Sequence, residues 1–172
     1  LALPIDERGL DALLTGDLRP FARLIDNGLE GIMPAHVIYA ACDGRPAGFS
    51  RFWLHEVLRG KLAFQGVIFS DDLSMAAAEK AGCYADRSRA ALEAGCDMVL
   101  VCNNPDGAHE VLEELKDYHD PVAKTRMVRL HGRKARDMDK LREDPRWHNA
   151  VELAARLHEE VSLPLDLDDP GV

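Results

Sequence analysis

The sequence contains no apolar run that approaches the roughly 20 residues a bilayer-spanning helix needs. It has no block of lysine and arginine set apart from acidic residues, and its formal net charge is −9. That balance speaks against a nucleic-acid footprint and against an anionic membrane surface. No Gly-x-Gly-x-x-Gly, P-loop or Gly-x-Ser-x-Gly is present, so the usual dinucleotide, nucleotide and serine-hydrolase signatures are missing. Cys42, Cys83, Cys96 and Cys102 show no Cys-x-x-Cys spacing. Four cysteines in a chain this long do not make a disulfide scaffold, and reduced, mostly buried thiols in a cytoplasmic protein are expected. His55-Glu56 and His109-Glu110 open like a zincin signature, but neither has a histidine three residues beyond the glutamate, so no zinc site is expected. The segment Leu1-Ala2-Leu3-Pro4-Ile5-Asp6-Glu7-Arg8 has no basic region followed by a long apolar core, which argues against a signal peptide. It also lacks an initiator methionine, which points to a fragment or a processed product.

What is present is enough for one globular domain: 172 residues, 47% of them hydrophobic and 30% charged. The chain is organised around Gly66-Val67-Ile68-Phe69-Ser70-Asp71-Asp72-Leu73-Ser74-Met75. An apolar run between a glycine and an acidic pair reads as a buried strand of a parallel sheet, 66–70, that delivers two carboxylates to its end. An alanine-rich helix, 74–81, should follow and stop at Gly82. Upstream, Asp17 reads as the N-cap of a helix with Pro20 in its first turn and Phe21, Leu24 and Ile25 as its apolar stripe. Residues 29–34 read as a short strand ended by Pro34. Ser50 can cap a helix over 51–61 whose core face is Phe52, Leu54, Val57 and Leu58. Helices over 84–94 and from 103–107 to about 116 flank a second apolar strand, 97–102. Residues 1–16 give only a weak signal. Strands alternating with helices predict an α/β fold with a parallel sheet. After Asp120-Pro121 the pattern turns helical, 121–131 and 147–160, and 164–172 is an acidic, loose tail. Three strands are few for a complete sheet or barrel, so the sheet is either small or completed by further chain.

In parallel sheets and barrels, ligands meet the C-terminal ends of the strands. That rule singles out Asp71-Asp72, Pro34-Ala35-His36 and Asn103-Asn104. Each has a plain structural alternative: Asp72 as a helix cap with Asp71 solvated, His36 as a hydrogen-bonded histidine past a strand, and the asparagines as turn and N-cap residues. The charged run 129–146 reads as a solvated helical surface. An aspartate at a strand end can hold Mg²⁺ for phosphoryl transfer, act as acid or base, or attack a carbon as in retaining glycosidases. A nucleophile must be ionised, which backbone amides of a following helix turn favour. The residue pattern alone leaves these options open.

The stretch Gly66 to Met75 resembles the nucleophile segment of glycoside hydrolase family 3, and more narrowly that of its bacterial cytoplasmic β-N-acetylhexosaminidases of peptidoglycan recycling. Pro4-Ile5-Asp6-Glu7-Arg8, Ile32-Met33-Pro34-Ala35-His36-Val37-Ile38-Tyr39, Arg45-Pro46-Ala47, Ala94-Gly95-Cys96-Asp97-Met98 and Val101-Cys102-Asn103-Asn104 match in the same order and spacing. The resemblance covers about residues 1–118, and the helical end follows loosely. Two departures concern loop shape: Ala63 stands where the family usually has glycine, and Gly48-Phe49 replaces a Ser-Gly pair.

The resemblance implies the C-terminal part of a (β/α)₈ TIM-type barrel over 1–118, a helical segment of the same domain over 119–163, and the tail 164–172. It implies Asp71 as catalytic nucleophile, His36 and Asn103 as substrate-binding residues, and Asp72 and Ser70 in support. The reaction would be retaining hydrolysis of terminal β-linked N-acetylglucosamine from muropeptides in the cytoplasm, with no metal or organic cofactor. The family's acid/base histidine and most sugar-contacting residues belong to a preceding half that this sequence does not contain, so the 172 residues alone should be inactive. The open sheet edge at 29–34 should pair with that half or with another copy. The alternatives are another family 3 β-glycosidase, a Mg²⁺-dependent Asp-Asp phosphotransfer domain, and a non-catalytic fragment.

Overall fold

The structure is a computed structural model that describes residues 3–132 and 137–160. The chain divides into two compact units, residues 1–131 and 132–172. In the first, two short strands, β1 (Ile5–Asp6) and β3 (Ile38–Tyr39), pair in parallel. Helices α1 (Leu10–Thr15) and α2 (Leu18–Asp26) and strand β2 (Gly31–Ile32) lie between them in sequence. Strands β4 (Val67–Asp72) and β5 (Met98–Leu100) complete a three-stranded parallel sheet in the order β2-β4-β5. Helices α3 (Tyr84–Ala94), α4 (Pro105–Glu114) and α5 (Pro121–Met127) follow the strands as an α/β pattern requires.

Several boundaries differ from the sequence reading, each for a local reason. The weak segment before residue 16 holds helix α1, which buries Leu13. Asp17 does not cap α2; its carboxylate takes the Arg8 guanidinium at 2.6 Å, and Arg8 also grips Asp6 at 2.6 Å. The strand expected over 29–34 is only two residues long, and the pair β1–β3 was not foreseen. The helix after Ser50 is a π-helix, Phe52–Lys61, in which the Leu62 amide reaches back five residues to the Val57 carbonyl. Its wider turn buries Trp53 in place of Phe52, alongside Leu54, Val57 and Leu58. Ser50 still serves the helix start, accepting from the Trp53 amide at 3.2 Å. The alanine-rich segment forms a 3₁₀ helix, Ala76–Ala81.

The core gathers Leu54, Phe64, Ile68, Leu73 and Ala91, each 0–1% exposed, around the central strand β4. Burying each of the large side chains Leu54, Phe64, Ile68 and Leu73 contributes roughly 1.5–3 kcal/mol. Gly66 opens the strand because no side chain fits: a Cβ there would lie 2.6 Å from Phe64 Cζ and 2.8 Å from the Glu30 carbonyl carbon. Gly95 ends α3 at φ +120°, a conformation that only glycine adopts without strain. Of the four free cysteines, Cys96 is buried and Cys42 half-buried, but Cys83 and Cys102 are exposed, which corrects the expectation of mostly buried thiols.

The first unit continues through α5. Arg126 on α5 pairs with the buried carboxylate of Asp97 at 2.7 Å, and the unit runs to His131. In the second unit, α6 (Met138–Arg142) precedes α7 (Pro145–Glu160). The side chains of Trp147, Val151 and Leu157 on α7 are exposed. The tail 164–172 lies outside the described residues.

Candidate active site

Strand β4 runs through the acidic pair instead of ending before it, so Asp71 and Asp72 are themselves extended. Successive side chains of a strand point to opposite faces. Ser70 and Asp72 bond to residues of β5 and the loop after it, whereas Asp71 bonds to the turn after β2. The pairing of β4 with β5 shifts register between Phe69 and Asp72, and side chains repair the ladder there. The buried Ser70 hydroxyl accepts the Leu100 amide at 2.9 Å. Asp72 Oδ1 accepts the Cys102 amide at 2.9 Å and the Ser74 amide at 2.9 Å. The Ser74 hydroxyl lies 2.7 Å from Asp72 Oδ2 and 2.9 Å from the Cys102 carbonyl. Asp72 thus binds the ends of β4 and β5 together. Burial pushes its carboxyl pKa upward, but the hydrogen bonds from Ser74 and Cys102 prevail and hold it below the usual carboxylate range.

Asp71 stands at the C-terminal end of the central strand and is half-buried. Its Oδ1 accepts the Asp72 amide at 2.8 Å, and its Oδ2 accepts the His36 amide at 3.2 Å. Two fixed N–H groups therefore set the carboxylate's orientation. His36 is 4% exposed; its ring nitrogen Nε2 lies 3.2 Å from the Asp72 carbonyl, and its ring stacks on Phe49 at 5.3 Å and 16°. The structure brings Asp71, Asp72 and His36 into one cluster. Asn103 follows β5 as an exposed residue at φ +56°, a left-handed conformation to which asparagine is better suited than most residues. Asn104 caps α4, accepting the Gly107 amide at 2.9 Å and donating to the Tyr84 hydroxyl at 2.8 Å.

Two supporting groups escaped the sequence reading. Arg87 is buried, donates to the Leu73 carbonyl at 2.7 Å and the Gly82 carbonyl at 2.8 Å, and lies over the Tyr84 ring. It fixes the turn that follows Asp72. Asp97 takes Arg59 and Arg126 at 2.7 Å each and the Ile68 amide at 2.8 Å. An acidic residue opening an otherwise apolar strand was the available signal for it. Among the described residues no group of three or more His, Cys, Asp or Glu is placed to hold a metal ion. Asp71 and Asp72 take different partners: the amides of Asp72 and His36 for the first, those of Ser74 and Cys102 for the second.

Comparison with known proteins agrees over most of the chain. Residues 1–130 match the model of the glycosyl hydrolase family 3 N terminal domain. A beta-hexosaminidase of Thioalkalivibrio sulfidiphilus is 52% identical over 167 residues, covering 97% of this chain and 48% of the relative. A beta-hexosaminidase of Alkalilimnicola ehrlichii is 54% identical over 152 residues, 88% of this chain and 43% of the relative. Among solved structures, NagZ from Neisseria gonorrhoeae in complex with N-trifluoroacetyl-D-glucosamine superposes with a TM-score of 0.71 at 41% identity, over 78% of this chain and 38% of that one. The chain spans about half the length of the curated relatives it matches. With a family match that reaches from the first residue to the end of α5, the chain belongs to glycosyl hydrolase family 3.

Proposed function

We propose that this chain is the nucleophile-bearing half of a retaining β-N-acetylhexosaminidase. The observation that carries the reading is Asp71: a carboxylate at the C-terminal end of the central parallel strand, half-buried and oriented by two backbone amides. One oxygen of Asp71 attacks the anomeric carbon of a terminal β-linked N-acetylglucosamine as the bond to the aglycone breaks. An acid protonates the leaving oxygen, and water then hydrolyses the glycosyl-aspartate with net retention. Asn103, exposed beyond β5, contacts the sugar, and Ser70 and Asp72 hold the strand ends. No metal or organic cofactor enters the reaction.

The relatives named beta-hexosaminidase, and the N-acyl glucosamine in the gonococcal complex, support an N-acetylglucosamine-containing substrate. Muropeptides in the cytoplasm are the substrate and setting that the narrower resemblance favours. The family match over residues 1–130 weighs against the Mg²⁺ phosphotransfer alternative. In the whole protein, residues 1–118 supply the C-terminal βα units of a (β/α)₈ barrel. Strand β2 is the edge of the sheet, with Met33 beside it 50% exposed and Phe21 and Leu24 of α2 46% and 51% exposed. Such an apolar edge suits the missing half of a barrel. The acid/base histidine belongs to that half.

The test is turnover of a nitrophenyl β-N-acetylglucosaminide by the chain alone and by the chain complemented with the other half of the Thioalkalivibrio relative. The expected result is no activity alone, activity on complementation, and its loss in Asp71→Ala. Full activity in complemented Asp71→Ala refutes the assignment.

A further inference from the structure

We infer that His36 is a positioning residue for Asp71, acting through the backbone of its own turn and not by touching substrate; this rests on the reading of Asp71 as nucleophile. The ring is tethered at two points. Its Nε2 lies 3.2 Å from the Asp72 carbonyl oxygen, which can only accept, so Nε2 carries the ring hydrogen. Its face stacks on Phe49. The other nitrogen, Nδ1, is buried without a hydrogen-bond partner, out of reach of a sugar hydroxyl at this geometry. What His36 offers the active site is its main-chain N–H, donated to Asp71 Oδ2 at 3.2 Å.

The two contacts form one device. The turn around Ala35, closed by the Val37 amide on the Ala35 carbonyl at 2.8 Å, has no strand ladder to hold it against β4. The ring bond to the carbonyl of residue 72 supplies that anchor, and the amide of residue 36 then meets the carboxylate of residue 71. Adjacent residues of one strand are thus gripped by side chain and main chain of one histidine. Without the ring bond the turn is free to drift, and Asp71 loses one of its two orienting donors. Misplacement of a reacting group by an ångström costs on the order of 100-fold in rate.

Two measurements test this. The first uses the 172-residue chain and proton–nitrogen NMR. The wild-type ring should carry its hydrogen on Nε2, and the residue-36 amide proton should shift when Asp71→Asn removes the charge. His36→Gln, whose amide nitrogen stands in for Nε2, should keep the residue-36 amide signal; His36→Phe, which can still stack on Phe49, should lose it while the Leu100 amide keeps its position. A ring hydrogen on Nδ1, or a residue-36 amide indifferent to Asp71→Asn, overturns the inference without need of any His36 variant. The second uses the complemented protein. His36→Phe should lower kcat about 100-fold with KM within about threefold of wild type, and His36→Gln should recover most of the loss. A purely structural role would lower the amount of folded protein and leave both constants of the folded fraction alone. If complemented Asp71→Ala is inactive and His36→Phe is unimpaired, positioning fails and the nucleophile stands; if Asp71→Ala is active, the nucleophile reading fails first.

Discussion

Arg126 donates to the carboxylate of Asp97 at 2.7 Å across 29 residues of sequence, joining helix α5 to the start of strand β5. The Asp97 side chain is 2% exposed, and its second oxygen takes Arg59 at 2.7 Å. Burial lowers the Arg59 pKa from its ordinary value, opposed by the attraction of Asp97. Arg59 also donates to the carbonyls of Phe64 and Gly66, at 2.9 and 2.7 Å, so this carboxylate sits at the hub that aims β4. A buried pair broken on one side leaves an uncompensated charge, which typically costs about 3–5 kcal/mol. Asp97→Asn should therefore destabilise the fold by about 3 kcal/mol in urea titration. Arg126→Met, which leaves Arg59 in place, should cost about 1 kcal/mol, and the double variant should cost less than the sum. Equal stability of Asp97→Asn and wild type would remove the hub from the account.

The acid limb of stability should depend on Asp72. Its folded pKa lies below the ordinary value of 3.8, so between those two values the unfolded chain binds more protons than the folded one. The contribution is complete above the unfolded value and is lost as pH falls through the folded one. Asp43, whose carboxylate accepts Ser50 at 2.6 Å and is likewise lowered, adds to the same window. Asp72→Asn should flatten the fall in stability below about pH 4, measured by denaturant midpoints at stepped pH. A slope identical to wild type would show that the Asp72 bonds are not formed in solution.

Ala63 sits at φ +54° in the turn before β4, where resemblance to the family leads one to expect glycine. A left-handed conformation costs a residue with a Cβ roughly 1–2 kcal/mol, partly offset by the greater unfolded freedom of glycine. Ala63→Gly should raise stability by about 0.5–1 kcal/mol, seen as a rise of a few degrees in melting temperature. A fall in melting temperature would mean the turn adopts another shape.

Thiol reactivity should separate the exposed cysteines from the buried one. Cys83 and Cys102 are exposed, whereas Cys96 is buried and its pKa is pushed up to about 12, first by burial and then by the neighbouring Asp97. A chromogenic disulfide reagent should label Cys83 and Cys102 in the native chain and reach Cys96 only after denaturant is added. Prompt native labelling of Cys96 would contradict the packing around α3 and β5.

Helix α3 with its Gly95 stop, and α4 with its Asn104 cap, follow their sequence signals closely, because periodicity, caps and glycine stops act within a few residues. The apolar run 67–69 likewise marked the central strand. The two-residue strands left no such mark: a ladder of two residues has no period to detect. The π-helix at Phe52–Lys61 was misread for a related reason, since a single shift in bonding changes which side chains face inward. Asp17 carries a capping signature but is used by Arg8, a choice made nine residues away.

The sequence by itself determined that two carboxylates arrive at the end of a buried strand, with the glycines, caps and apolar runs that put them there. What grips each carboxylate was decided only by tertiary structure. The register shift against β5 turns Asp72 and Ser70 into ladder acceptors, and the turn at His36 closes on Asp71 from 35 residues away. Local patterns encode backbone geometry over a few residues; the partners of a buried polar group are set by whichever distant amide or carbonyl the fold leaves unsatisfied beside it.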